Sequence, residues 1–334
     1  MQYRYTVLAL IAWAFFGGFS SSFSWTAAAH GQTITLTPAE VEAGSPMLIR
    51  VDMNGTHRGG VQGEWMGHTL QFFEASRPSL SSASRRGSSG RNSSRGDFAA
   101  GVAATASDKH SSWYALAGVD VEAPVGPSTL HITVTDENGR GDEMERAVPI
   151  RATHYRTGAL TVAPGFVEPD ARAQQRIARE RALKERTFST SSPMPLWSGG
   201  FRAPVVAAPT DSFGTRRVFN GKLASIHKGM DFRARSGTPV RAANAGVVVL
   251  AQPLYFEGNC VVIDHGLGLF TLSMHLSRTD VEEGQHLKAG EQIGLSGATG
   301  RATGAHLHWA VRWQSAYLDP AKLMQLKLPE TEQR

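Results

Sequence analysis

The chain has 334 residues, a formal net charge of +5 and a single cysteine, Cys260. One cysteine excludes an intrachain disulfide, and its apolar neighbours predict an inert, buried thiol. The length leaves room for two domains. The positive charge is modest and spread along the chain, so nucleic acid is not expected as a partner.

Residues 1–29 have the form of an export signal. Arg4 supplies a positive start, residues 6–19 are apolar, and Ala27-Ala28-Ala29 offers a small-residue cleavage site. The apolar run is about a dozen residues, shorter than the roughly 20 that a membrane-spanning helix needs. We therefore expect export to the periplasm of a Gram-negative cell, with an uncleaved membrane anchor as the alternative.

Residues 30–155 predict an immunoglobulin-like β-sandwich, because short alternating runs are separated by turn residues. The predicted strands are 33–36, 47–53, 69–73, 113–121, 129–135 and 147–151. Within this domain, residues 76–96 are rich in Ser and Arg and contain no acid, which predicts a disordered loop. We interpret the domain as a spacer, or as a docking module for a membrane or envelope protein partner.

Residues 156–209 predict a linker that contains a charged helix over 169–186. Pro169 and Asp170 are helix-start signals, and four prolines follow between residues 187 and 209. Residues 210–322 then predict a second domain, an antiparallel β-sheet, and 323–334 a C-terminal tail. The strands expected in that sheet are 247–250, 261–264, 270–274, 292–295 and 306–313. The predicted fold class is therefore mainly β.

A metal site is predicted in the second domain. His306 and His308 are separated by one residue in a strand-like segment, so their side chains point to the same face. His227 and Asp231 lie four residues apart in a segment that Gly229 makes unsuited to a helix. Two imidazoles and one carboxylate with an open fourth position are what catalytic zinc requires.

The region 210–320 resembles peptidase family M23, the LytM/lysostaphin-type zinc endopeptidases. The motifs that carry the resemblance are SFGTR (212–216), HKGMDF (227–232), GTPVRAANAGVVVLA (237–251), GNCVVIDHGLGLFTLSMHLS (258–277), VEEGQHLKAGEQIGLSGATGRATGAHLHW (281–309) and LDP (318–320). They occur in the family's order and cover about a third of the chain.

The resemblance implies His227, Asp231 and His308 as ligands of one zinc ion per chain, with His275 and His306 as catalytic histidines. His265 is left open between a structural and a catalytic role. Four residues are candidates for the substrate groove: Asn220, Tyr255, Phe256 and Arg301. An upstream Asn blocks the zinc in some family members, although a turn residue is the plainer interpretation of Asn220.

The activity implied by the resemblance is zinc-dependent hydrolysis of peptide cross-links in peptidoglycan, with stem peptides as substrate. The alternative is a non-catalytic LytM-type regulator that activates a cell-wall amidase. Degenerate regulators lack ligand or catalytic positions, whereas this chain keeps all five, so the sequence favours the enzyme.

Overall fold

The computed structural model describes residues 32–53, 59–75, 111–221 and 223–331. The predicted export signal and the Ser/Arg-rich loop lie outside the described residues. The described part is mainly β, as predicted. No helix within it is long and apolar enough to cross a membrane.

The N-terminal half contains two four-stranded antiparallel sheets. Its strands are β1 (Thr33–Thr37), β2 (Val41–Glu42), β3 (Pro46–Met53), β4 (Val61–Trp65), β5 (His68–Gln71), β6 (Phe73–Glu74), β7 (Ser111–Gly118), β8 (Thr129–Thr135), β9 (Gly141–Ala147) and β10 (Ile150–Arg151). The sheet orders are β1-β3-β7-β6 and β5-β4-β8-β9, and β2 pairs with β10 in parallel. The two sheets fit a sandwich, and its immunoglobulin-like character stays a prediction.

The alternation of apolar and polar residues explains which strands could be predicted from the sequence. Leu130, Ile132 and Val134 of β8 are buried on one face, and this strand has the predicted bounds. The predicted strand over 147–151 is wrong in extent: β9 ends at Ala147 and β10 holds only two residues. None of β9's residues is buried, so it carries no apolar pattern, and β4 was missed as well.

The segment predicted as a linker is packed against the rest of the molecule. It forms β11 (Thr157–Leu160), a 3₁₀ turn (Pro164–Phe166) and α1 (Ala171–Ser189). The Asp170 side chain accepts a hydrogen bond from the Ala173 N–H and caps α1. Further along, Trp197, Phe201 and Val205 are buried, because three large apolar side chains favour a core over an exposed linker.

The C-terminal half is built around one large antiparallel sheet. Its elements are β12 (Pro209–Asp211), β13 (Arg216–Phe219), β14 (Leu223–Ile226), β15 (Met230–Phe232), β16 (Pro239–Arg241), β17 (Gly246–Leu254), β18 (Gly258–Asp264), β19 (Leu269–Leu276), β20 (Arg278–Thr279), β21 (His286–Leu287), β22 (Gln292–Leu295), β23 (Leu307–Trp313), β24 (Ala316–Leu318) and α2 (Pro320–Gln325). The main order is β12-β15-β23-β19-β18-β17-β21, with β24 on β23. Smaller sheets are β11-β13-β14 and β16-β22-β20.

The large sheet has an apolar core on each side. A small cluster around Leu250 and Phe270 is covered by Leu183 and Phe188 of α1. The predicted burial of Cys260 in this cluster is confirmed, and burial raises the pKa of its thiol. Such a thiol is neutral and inert.

The other core runs from the N-terminal half into the C-terminal half without a break. Polar contacts join the halves as well: Lys322 contacts Glu42, and Lys228 Nζ lies 2.8 Å from Glu122 Oε2. The predicted tail is wrong in its first part, because Leu326 and Leu328 are buried in this shared core.

Candidate metal centre and its cavity

Three side chains converge at one end of β15 and β23. His227 follows β14, Asp231 lies in β15, and His308 lies directly opposite Asp231 in the antiparallel register. His308 Nδ1 is 2.8 Å from Asp231 Oδ1 and 2.9 Å from His227 Nε2, which is itself 3.1 Å from Asp231 Oδ1. All three residues are buried, and their ligand atoms lie within 4.8 Å of one another. The three ligands implied by the sequence thus form one cluster.

The loop before β13 fixes the orientation of His227. Its Nδ1–H donates to the Ser212 carbonyl at 3.0 Å, which leaves Nε2 to face Asp231 and His308. Gly214 donates its N–H to the His227 carbonyl at 2.8 Å and has φ +80°. A Cβ on Gly214 would lie 2.0 Å from the Tyr155 ring, so this loop requires glycine.

The cluster is held by a network of ion pairs around Arg217, which was not predicted from the sequence. Arg217 Nη2 donates to Asp231 Oδ2 at 2.5 Å and to Asp211 Oδ2 at 2.6 Å. Asp211 Oδ2 is also 3.4 Å from His227 Nδ1. Asp211 lies opposite Asp231 in the β12–β15 register, so the pairing depends on strands distant in sequence. The positions of Asp211 directly before the SFGTR motif and of Arg217 directly after it were a signal in the sequence.

Two further histidines flank the cluster. His275 sits where the β18–β19 register shifts, with φ 60°, and its Nδ1–H donates to the Thr299 carbonyl at 2.8 Å. A bulge of this kind redirects a side chain, and backbone strain of this kind is typical of functional sites. His306 Nδ1–H donates to the Gly304 carbonyl at 2.8 Å. The His275 ring centroid is 4.8 Å from that of His306 and 6.0 Å from that of His308.

The protonation states suit a metal site. Burial lowers the pKa of His275 to about 3, with the imidazoles of His308 and His306 adding to the effect. Burial also lowers the pKa of His308 to about 4, against the opposing effect of Asp231. For Asp231 burial acts to raise the pKa, but the hydrogen-bonding and charge interactions with His227 and His308 outweigh it and hold the pKa well below its usual range. Neutral imidazoles and an ionised carboxylate are the forms that bind metals.

The cluster lies in a cavity of about 900 Å³. Its walls include β11, the β13 strand and the loops around Phe256 and Arg301. The Arg301 guanidinium lies between two aromatic rings, 4.7 Å from the Phe219 centroid and 4.6 Å from that of Phe256. Of the four groove candidates, Phe256 and Arg301 line this cavity.

Asn220 and Tyr255 do not line the cavity, so their prediction as groove residues is corrected. Asn220 exchanges two hydrogen bonds with the Val162 backbone, at 3.0 and 2.9 Å, and therefore acts as a turn residue. Tyr255 turns away because its hydroxyl donates to the Gly165 carbonyl at 2.8 Å. His265 is structural: it is completely buried and bonds to the Ala245 carbonyl and the Thr271 hydroxyl.

Comparison with known proteins agrees with this geometry. Residues 225–320 match peptidase family M23. Over this segment the chain is similar to that family. The M23 segment contains both metal-site motifs, His227 to Asp231 and His306 to His308.

Curated relatives match over about a third of the chain. Peptidoglycan DD-endopeptidase ShyA of Vibrio cholerae is 47% identical over 101 residues, which make up 30% of this chain and 24% of that protein. DD-carboxypeptidase/endopeptidase Mpg of Neisseria meningitidis is 41% identical over 108 residues, 32% of this chain and 25% of that protein. The chain thus spans about a quarter of the length of the curated relatives it matches.

One solved structure matches over most of the chain. The crystal structure of a candidate M23 peptidase from Pseudomonas aeruginosa has a TM-score of 0.56 and covers 85% of this chain and 95% of its own. At 24% identity, this likeness shows a shared fold alone.

Proposed function

We propose that this chain is a zinc-dependent endopeptidase that hydrolyses peptide cross-links of peptidoglycan. The observation that carries the proposal is the convergence of His227, Asp231 and His308 beside two further histidines, in a cavity wide enough for a peptide. The names of the relatives support the substrate, since ShyA is a peptidoglycan DD-endopeptidase and Mpg a DD-carboxypeptidase/endopeptidase.

The donor set fits zinc. Two imidazole nitrogens and one carboxylate oxygen suit Zn²⁺, whereas Mg²⁺ and Ca²⁺ prefer ligand sets made of oxygen. Tetrahedral ligands about 2.1 Å from an ion lie about 3.4 Å from one another. The observed separations of 2.8 to 3.1 Å therefore need to widen by only a few tenths of an ångström. Bound zinc would supply a Lewis acid that activates water and polarises the scissile carbonyl.

The flanking histidines would move the protons. His275 and His306 each use Nδ1–H to bind a backbone carbonyl, so each presents Nε2 for chemistry. The lowered pKa of His275 keeps its ring neutral, so its Nε2 suits accepting a hydrogen bond from the reacting groups. An imidazole in the position of His306 can accept a proton from the attacking water and return it to the leaving amine. Because both rings are held by backbone groups, they are oriented before substrate binds.

The location of this activity is the periplasm in our proposal, supported by the signal-like residues 1–29 and by a substrate outside the cytoplasmic membrane. The N-terminal half would hold the peptidase segment and offer a surface to a membrane or envelope protein partner. Its packing into the shared core supports the first of these roles directly.

The test is digestion of purified cross-linked muropeptides by the mature chain, with and without chelator. We expect dimers to become monomers, with loss of turnover on chelation and recovery with zinc. His308→Ala should lose zinc and turnover, whereas His306→Ala should keep zinc and lose turnover by about 10² to 10⁴-fold. His286→Ala, an exposed histidine of β21, is the matched control and should behave as wild type.

The regulator hypothesis makes a different prediction for the same experiment. A folded, zinc-loaded chain without turnover that stimulates an amidase would establish the regulator and refute the endopeptidase.

A further inference from the structure

The negative charges that line the cavity are paired in the part of the chain that the structure describes. Among the described residues, each of the cavity's four carboxylates contacts a Lys or Arg side chain. The pairs are Glu122–Lys228, Asp211–Arg217, Asp231–Arg217 and Glu257–Lys184. A lining Lys or Arg that has no carboxylate partner can therefore bind an anionic group of a ligand.

Arg301 is the cation that meets this condition and is also held in place. The described residues give it no salt bridge, and its guanidinium is confined between the Phe219 and Phe256 rings. Its main-chain N–H donates to the Phe256 carbonyl at 2.8 Å, which fixes the base of the side chain. Arg233 also has no ion pair within the part of the chain that the structure describes, but it is exposed, so its side chain is solvated and free to rotate.

The Arg301 guanidinium is largely shielded from water and has no carboxylate of its own among the described residues. Burial lowers the pKa of its guanidinium from the usual value, and Arg217 lowers it further. Glu257 acts in the opposite direction, but its own ion pair is with Lys184. Aromatic faces attract the cation while leaving the guanidinium N–H groups without acceptors. Such a preorganised fork matches the two oxygens of a carboxylate.

We propose that Arg301 binds a free carboxylate of the substrate and so makes the site specific for acidic stem peptides. The inference rests on the proposed peptidoglycan substrate. Stem peptides carry free carboxylates on the γ-linked glutamate, on the diamino acid and at a C-terminal alanine. Amidation of one of these groups removes its charge with almost no change in size, so amidated peptides are matched ligands.

The test measures binding of the tetrapeptide L-Ala-γ-D-Glu-meso-diaminopimelate-D-Ala to the mature full chain by calorimetry. Versions amidated singly at each carboxylate distinguish which group is recognised. One of them should bind wild type about tenfold more weakly, the usual size of a charge-assisted contact. Arg301→Gln should bind that version and the free acid equally.

Two variants control for folding and for net charge. Arg301→Lys keeps the charge and should keep part of the discrimination. Arg235→Gln removes an exposed arginine outside the cavity and should discriminate as wild type does. Equal binding of all versions by wild type, absence of binding, or discrimination that survives in Arg301→Gln would overturn the proposal. Turnover of cross-linked dimers is measured separately, so a chain that discriminates but does not cleave would refute only the endopeptidase.

Discussion

Gly229 lies between the ligands His227 and Asp231, and its missing side chain makes room for the third. A Cβ at this position would lie 2.5 Å from His308 Nε2, 2.7 Å from His308 Cε1 and 2.7 Å from the Trp309 carbonyl oxygen. The Trp309 carbonyl belongs to β23, which is paired on both sides. The carbonyl cannot yield, so in Gly229→Ala both the His308 ring and the Gly229 main chain must shift.

The size of the effect follows from these distances. Ordinary carbon contacts begin near 3.5 Å, so the ring must retreat by about 1 Å. Metal–ligand distances tolerate only about 0.2 Å, and changes that merely disturb the orientation of a ligand cost roughly 10 to 100-fold in metal affinity. We expect Gly229→Ala to weaken zinc binding at least about 100-fold. Without the clash, Gly to Ala would stabilise the fold by about 0.4–1 kcal/mol.

The assay is competition for zinc with a chromophoric chelator, accompanied by thermal unfolding of the zinc-free chain. The matched control is Gly304→Ala, because among the described residues no atom beyond its chain neighbours lies within 4 Å of the Cβ it would carry. Its zinc affinity should stay within about twofold of wild type. If Gly229→Ala also binds zinc within that margin, the position of His308 does not depend on Gly229 and the reasoning fails.

Two further predictions concern the junction of the halves. Tyr155 donates to the Ala43 carbonyl at 2.7 Å, and burial raises its pKa to about 12. Tyr155→Phe should cost about 1 kcal/mol near neutral pH. Because the raised pKa favours the protonated form in the fold, wild type should lose stability as the pH rises from about 10 to about 12, and the variant should lose less. Parallel curves of denaturant stability against pH would contradict this. For Gly118→Ala, the new Cβ would lie 2.5 Å from a methyl carbon of the buried Leu318, so we expect a loss of about 1–3 kcal/mol in denaturant unfolding. Gly60→Ala, with its nearest contact at 3.8 Å, is the control, and equal stability of the two variants would show that the junction can adjust.

What the sequence predicted was local. The motif around His227 and Asp231 and the HLH motif have fixed spacings, and apolar alternation gives β8 and β22 with the bounds observed. The roles of these histidines stay predictions until the variants are measured.

What the sequence did not predict depends on contacts between distant segments. Arg217 meets Asp211 and Asp231 only because β12, β13 and β15 come together. β11 carries no apolar alternation, and its place is set by parallel pairing with β13 across more than fifty residues of chain. Tyr255 lies in a loop, as predicted, but its side chain turns away from the cavity because its hydroxyl donates to the distant Gly165 carbonyl.

Where the chain leaves the N-terminal half, a short segment connects that half to the wall of the cavity. Tyr155 is anchored to Ala43, and two residues later β11 begins its pairing with β13, the strand that carries Arg217. No slack chain separates the anchor from the cavity wall, so a rotation of the N-terminal half must strain or shift β11. A change in the tilt of the N-terminal half would therefore act on the cavity wall through only a few residues of chain.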